Sequence, residues 1–143
     1  MKPFFSSTPK WQNEGLAIVR ILTGFFMVYH GWEVFDAEKM KTYLEWEQFK
    51  TSTSSLLVHA GKTTELIGGV LLMLGLFTRL AALLIAATML YISFFVGNGK
   101  VWYEDQHPFL FVLLALLYFF TGAGKYSFDY LLFNGKTTAV HES

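Results

Sequence analysis

The chain has 143 residues, a formal net charge of zero at pH 7 and 53% hydrophobic residues, and only 15% of its residues are charged. This composition is far from that of an average soluble domain, and without a basic tract we expect no nucleic-acid partner. The chain also has no cysteine, which excludes thiolate metal sites and thiol–disulfide exchange by its own side chains.

Four apolar segments follow one another, and a helix needs about 20 mostly apolar residues to cross a bilayer. They cover approximately residues 15–35, 56–77, 80–96 and 106–122. The last segment is short, but Tyr103 and Tyr126 flank it and extend it into the interface. We therefore predict an all-α integral membrane protein, a four-helix transmembrane bundle that forms one domain over residues 1–143.

Arg20 interrupts the first apolar segment and no small-residue cleavage site follows, so we expect a retained helix rather than a cleaved leader. An unpaired charge at this depth is costly. Asp129 returns to the same end of the bundle after the fourth helix, and we predict a structural ion pair between Arg20 and Asp129.

The connection between the first two helices, residues 37–50, alternates apolar and charged residues. Its apolar positions are Met40, Tyr43, Leu44, Trp46 and Phe49. The pattern predicts an interfacial amphipathic segment, in contact with the lipid bilayer. A short loop helix packed on the bundle would show the same pattern, so both interpretations stay open.

Glu65 lies in the middle of the second apolar segment, and we expect no compensating positive charge at its depth. It belongs to a series of residues spaced three and four apart, which share one helix face. The series is Gly61, Glu65, Gly68, Leu72 and Gly75. Small residues at this spacing let a neighbouring helix approach closely, so we expect Glu65 on a packed seam. The matching seam on the first helix is Arg20, Gly24, Met27 and Gly31.

Polar residues gather at one end of the predicted bundle, where the two longer connections lie. At about 1.5 Å per residue, Glu65 is roughly 13 Å and His30 roughly 7 Å below that surface, so antiparallel helices bring them to comparable depths. Glu33 shares the helix face of His30, and His107 lies just before the fourth helix. We predict that these four residues form a polar pocket and carry any catalytic role.

Other interpretations of these residues stay open. A hydrogen bond of Glu65 to His30 can simply lock two helices in register. Histidine and carboxylate side chains suit a metal ion, but di-iron bundles use paired Glu-x-x-His motifs, whereas here a single reversed motif joins His30 to Glu33. We therefore predict no metal site. His59 and His107 can also be interfacial residues at helix ends.

Three motifs in order give the chain a resemblance to a known family. The first motif covers residues 20–31 and contains Gly24 and His30-Gly31. The second covers residues 65–79 and contains Gly68-Gly69 and Thr78-Arg79. The third covers residues 122–129 and contains Gly122, Gly124, Ser127 and Asp129. Together they resemble the signatures of the DoxX family, except that Glu33 stands where a lysine is expected. The resemblance implies a small, multi-pass protein of the bacterial inner membrane, with both termini in the cytoplasm.

Three functions follow as hypotheses. The resemblance and the polar pocket favour a redox-associated, quinone-linked membrane subunit, whose pocket binds a quinone headgroup and relays its protons. The first alternative is a non-catalytic scaffold or assembly subunit that docks a partner membrane or redox protein. The second is a small-solute or proton carrier, which would require a homo-oligomer because four helices provide little apparatus for alternating access.

Overall fold

The computed structural model describes residues 9–134, and all regular secondary structure in that range is helical. The five α-helices are α1 (Gln12–Gly31), α2 (Ala37–Leu44), α3 (Ser54–Leu74), α4 (Thr78–Tyr91) and α5 (Gln106–Thr121). Two short 3-10 turns follow α1 and α2, at Trp32–Phe35 and Glu47–Phe49. Two π-helical turns lie at Ile92–Val96, where α4 continues, and at Tyr130–Asn134.

Three helical stretches are long and apolar enough to cross a membrane: Gln12–Phe35, Ser54–Leu74 and Thr78–Val96. They match the first three predicted segments within a few residues. Helix α5 matches the fourth in position, but at 16 residues it is shorter than a standard span. The all-α prediction is confirmed for the described residues, with three candidate spans by length and composition.

Glycines bring α1 and α3 into close contact. A Cβ atom on Gly24 would lie 2.5 Å from the backbone nitrogen of Met73, and one on Gly31 would overlap the backbone nitrogen of Leu66. Only glycine allows backbones to approach this closely. The glycines of the seam predicted on α1 therefore do face α3.

The facing surface of α3 is rotated by one residue from the predicted series. A Cβ atom on Gly69 would lie 2.7 Å from the backbone nitrogen of Val28 in α1, whereas one on Gly68 would lie 3.0 Å from Ile85 in α4. Gly68 therefore packs against α4, and Gly69 provides the contact with α1.

The main core lies where α4 packs on α3 and α5. Five residues of this core are completely buried, each being 0% exposed: Leu72, Ala82, Ile85, Ala115 and Tyr118. The Tyr118 hydroxyl donates a hydrogen bond of 2.9 Å to the Leu16 carbonyl, which ties α5 to α1. These contacts close the bundle at the end away from the predicted polar pocket.

The segment between α1 and α3 folds onto the bundle. Asp36 caps α2 by accepting hydrogen bonds from the backbone nitrogens of Glu38 and Lys39, both at 3.1 Å. Met40 and Phe49 are buried in a small cluster with the α3 residue Val58. Part of the segment's apolar face thus packs against protein, as the loop-helix interpretation requires, while Trp46 remains 42% exposed.

The predicted ion pair between Arg20 and Asp129 is wrong. The Arg20 guanidinium is buried and donates hydrogen bonds to three carbonyl oxygens, those of Leu72, Met73 and Tyr126. Asp129 instead accepts hydrogen bonds from the backbone nitrogens of Phe77 and Thr78 at the start of α4, and its carboxylate makes no ion pair with Arg20 within 4.0 Å. Arg20 thus binds carbonyls that the end of α3 leaves free, and Asp129 binds the start of α4.

Candidate functional site

A cavity of about 240 Å³ lies between α1, α3, α4 and α5, and the segment containing α2 covers one side of it. Three of the four predicted pocket residues line this cavity: Glu65, His30 and His107. Glu33 lies beside it and is connected to it through a lysine. The four residues therefore gather at one end of the bundle, although their catalytic role stays a prediction.

Lys62 is the residue that the sequence analysis missed. Its ammonium group lies 3.1 Å from Glu65 Oε2 and 2.9 Å from Glu33 Oε2. The expectation that Glu65 has no compensating positive charge at its depth is therefore wrong. Lys62 stands three residues before Glu65 on the same helix face, and this spacing was the available signal.

The ion pairs form a chain from the cavity to the surface. Glu65 pairs with Lys62, Lys62 with Glu33, and Glu33 with Lys39, the last at 3.2 Å. The exposed fraction of these side chains rises along the chain, from 4% for Glu65 through 13% and 16% to 53% for Lys39. We name this series, Glu65–Lys62–Glu33–Lys39, the charge ladder.

Tyr43 of α2 fixes the middle of the charge ladder. Its hydroxyl donates a hydrogen bond of 2.6 Å to Glu33 Oε2, and the Lys62 ammonium lies 4.9 Å from the centre of its ring. Burial raises the pKa of the Tyr43 hydroxyl, and its hydrogen bond to the Glu33 carboxylate raises this pKa further. Tyr43 therefore stays a neutral hydrogen-bond donor and cation–π partner at physiological pH.

The two histidines bring α1 and α5 together at the cavity. The rings of His30 and His107 meet edge to face with their centres 5.5 Å apart, and His107 meets Phe111 in the same way at 5.3 Å. His107 is exposed, so the cavity reaches the protein surface beside it. Imidazole nitrogens can donate or accept a proton, so this edge provides groups suited to a polar ring substituent.

The remainder of the cavity wall is apolar and rich in aromatic side chains. Helix α1 contributes Met27, α4 contributes Met89 and Tyr91, and the segment after α2 contributes Trp46 and Phe49. The cavity is thus apolar over most of its surface and polar at one edge, an arrangement typical of sites for small amphipathic ligands.

The other polar residues of this end have structural roles. Asp105 accepts hydrogen bonds from the backbone nitrogens of Asn98 and Lys100, both at 2.9 Å, and so holds the turn before α5. Glu104 bonds to the side chains of the same two residues, which lowers the pKa of its carboxyl. His59 is exposed, bonds to the Ser55 carbonyl and does not line the cavity.

No group of three or more histidine, aspartate or glutamate side chains within residues 9–134 is arranged to hold a metal ion. The acidic groups nearest the cavity are Glu65 and Glu33, and both are engaged by Lys62. The arrangement is therefore suited to hydrogen bonding and proton transfer.

Comparison with known proteins places the chain in a family. The DoxX family model matches residues 15–98, which include most of α1, the segment 37–50, α3, α4 and all four residues of the charge ladder. The chain belongs to the DoxX family. The resemblance noted in the sequence is thereby confirmed, and the matched region contains the first two motifs but not the third, at 122–129.

A relative of this DoxX protein occurs in Haemophilus influenzae and is described as an uncharacterized protein. The two are 31% identical over 132 residues, which cover 84% of this chain and 92% of the relative. No solved structure matches the chain.

Proposed function

We propose that this DoxX protein is a redox-associated membrane subunit that binds a quinone in the cavity between α1, α3, α4 and α5. The observation that carries the proposal is the division of the cavity surface into an aromatic wall and one polar edge. A quinone has the same division, because its ring and tail are apolar and its two carbonyl oxygens accept hydrogen bonds.

The polar edge offers donors for a quinone carbonyl. The imidazoles of His30 and His107 present ring nitrogens to the cavity. The Lys62 ammonium adds a positive charge beside them, while its own hydrogens are directed at Glu65, Glu33 and the His30 carbonyl. These donors stabilise the negative charge that grows on the carbonyl oxygen as the ring accepts electrons. The aromatic side chains Trp46 and Phe111 provide flat surfaces for the ring.

The charge ladder provides a route for protons. Converting a quinone to a quinol consumes two electrons and two protons, and a partner redox protein supplies the electrons in this proposal. The carboxylates of Glu65 and Glu33, joined through Lys62, lead from the cavity to the exposed Lys39. Ionisable groups inside a membrane protein commonly mark such proton relays.

We further propose four membrane crossings, with α5 as the fourth, in a bacterial inner membrane and with both termini in the cytoplasm. The outer surface of α5 is apolar and exposed at Leu110, Leu113, Leu117 and Phe120, as a lipid-facing surface would be. Trp102 and Tyr126 are exposed beyond its two ends, where aromatic residues are typical of the membrane interface.

Retention of a quinone through gentle purification tests the proposed function. The protein is extracted in mild detergent, and the bound small molecules are identified by mass spectrometry. We expect about one quinone per chain in the wild type. A stoichiometric protein partner without quinone would contradict the proposal and support an assembly subunit.

A binding titration makes this test quantitative. Adding a short-chain ubiquinone to the purified protein should quench tryptophan fluorescence, and Trp46→Phe should remove most of the quenching because Trp46 lines the cavity. Glu65→Gln and Lys62→Gln should weaken binding, whereas His59→Gln should not, because His59 lies on the same helix outside the cavity. Equal binding by all three variants would overturn the proposal.

A further inference from the structure

A second cleft lies at the opposite end of the bundle, between the start of α4 and the turn that follows α5. Its volume is about 560 Å³, and its lining residues include Arg79, Gly122, Lys125 and Tyr130. We name it the basic cleft. It is separate from the quinone cavity, since the two share no lining residue.

Two cations dominate the charge of the basic cleft. Arg79 and Lys125 are both exposed, and within residues 9–134 neither has an acidic side chain within 4.0 Å. The Arg79 guanidinium points across the cleft, because a Cβ atom on Gly122 would lie 4.0 Å from its Nη2. The cleft therefore holds two positive groups that have no counter-ion among the described residues.

Asp129 also lines the cleft, but its carboxylate is already engaged. Its two oxygens accept hydrogen bonds from the backbone nitrogens of Phe77 and Thr78, at 2.7 and 2.9 Å. Two cations and one anion leave the cleft with a net positive charge. The next two backbone nitrogens of α4, those of Arg79 and Leu80, have no acceptor within residues 9–134 and add partial positive charge at the helix start.

The cleft lies where helices end, which is the membrane surface in the four-crossing topology proposed above. Helix α3 ends at Leu74, α4 begins at Thr78 and α5 ends at Thr121, all at this end of the bundle. Exposed aromatic rings border the cleft, with those of Phe77 and Phe133 6.3 Å apart. Aromatic residues of this kind lie at the headgroup level of a bilayer, beside lipid phosphates.

We propose that the basic cleft binds the phosphodiester of an anionic phospholipid. The Arg79 fork pairs with two phosphate oxygens, Lys125 adds a point charge, and the aromatic border contacts the upper acyl chains. A free phosphate ester shares the phosphate chemistry but lacks the acyl chains. The two sources can therefore be distinguished by experiment.

Native mass spectrometry of the delipidated full-length protein tests this inference, with dioleoylphosphatidylglycerol as the probe. Arg79→Gln and Lys125→Gln should each weaken lipid binding about fivefold, and the double variant roughly thirtyfold. The matched control is Lys41→Gln with Lys50→Gln, which removes the same charge from two exposed lysines at the other end of the molecule. It should leave binding unchanged.

Two further measurements keep the inference falsifiable. Thermal unfolding of each variant in detergent should match the wild type, and Arg79→Lys should retain more lipid binding than Arg79→Gln. Glycerol 3-phosphate should not compete at concentrations comparable to the lipid. Equal lipid binding by the double variant and its control, or tighter binding of glycerol 3-phosphate than of the lipid, would overturn the inference.

Discussion

Lys62 holds two carboxylates that lie inside or beside the apolar helical bundle. Glu65 has a single charged partner, Lys62, within residues 9–134, whereas Lys62 has both Glu65 and Glu33. Removing one partner of a buried pair leaves the other charge without compensation, and this loss costs more than the pair itself contributes. Loss of Lys62 should therefore lower the free energy of unfolding more than loss of Glu65.

Lys62→Met should lower the free energy of unfolding by about 3 kcal/mol or more, because it leaves the buried Glu65 carboxylate unpaired. Glu65→Gln should cost only about 1 kcal/mol, since the amide oxygen still accepts a hydrogen bond and Lys62 keeps Glu33. Denaturant unfolding in detergent micelles checks both values. A larger loss for Glu65→Gln than for Lys62→Met would contradict this order.

Sequence reasoning located the polar residues but assigned their partners poorly. Glu65, His30 and His107 do line one cavity, because helix depth can be counted from the sequence. The three-residue spacing of Lys62 and Glu65 is readable from the sequence, but it does not show in which direction the flexible lysine side chain extends. The carbonyl partners of Arg20 were not readable, because they depend on where α3 ends against α1.

At the scale of helices, the contact between α1 and α3 depends on glycine. Gly24→Ala should lower the free energy of unfolding by about 1–3 kcal/mol, because the added methyl group would meet the Met73 backbone at 2.5 Å. Gly15→Ala lies on the same helix with no atom within 4 Å and should be neutral or stabilising by about 0.5–1 kcal/mol. Unfolding curves of the two variants, measured side by side, check the difference.

The segment between α1 and α3, residues 37–50, is anchored to the bundle by few residues. Met40→Ala should weaken this anchor by roughly 2–3 kcal/mol, because Met40 is buried against Phe49 and Val58. Hydrogen exchange should then accelerate in residues 37–49 while α3 keeps its protection. Lys41→Ala, at the exposed neighbouring position, serves as the control and should leave exchange unchanged.

The spacing of small residues three and four apart predicted that α1 and α3 would pack closely, and the structure confirms this contact. It did not distinguish Gly68 from Gly69, since adjacent residues differ by only about 100° around a helix and each faces a different neighbour. The position of the amphipathic segment was also open, because packing against protein and packing against lipid favour the same alternation. Which glycine faces which helix, and where the amphipathic segment packs, depend on the positions of the neighbouring helices. A single sequence segment does not specify those positions.

At the scale of the whole molecule, the absence of cysteine makes the proposed topology directly testable. Single cysteines at Ser52 and Lys100 should react from one side of the membrane, and those at Lys10 and Lys125 from the other, if α5 is the fourth crossing. Labelling of intact cells or spheroplasts with a membrane-impermeant maleimide checks this. Reaction of Lys100→Cys and Lys125→Cys from the same side would show that α5 does not cross.

Arg20 joins three parts of the chain far from the cavity that Glu65 lines: α1, the end of α3 and the stretch before the last π-helical turn. At the cavity end, α1 and α3 are held together by the charge ladder and by the close approach of Gly31 to the Leu66 backbone. The two longest helices are therefore fixed to each other at both ends. A substitution at one end therefore leaves the contact at the other end in place.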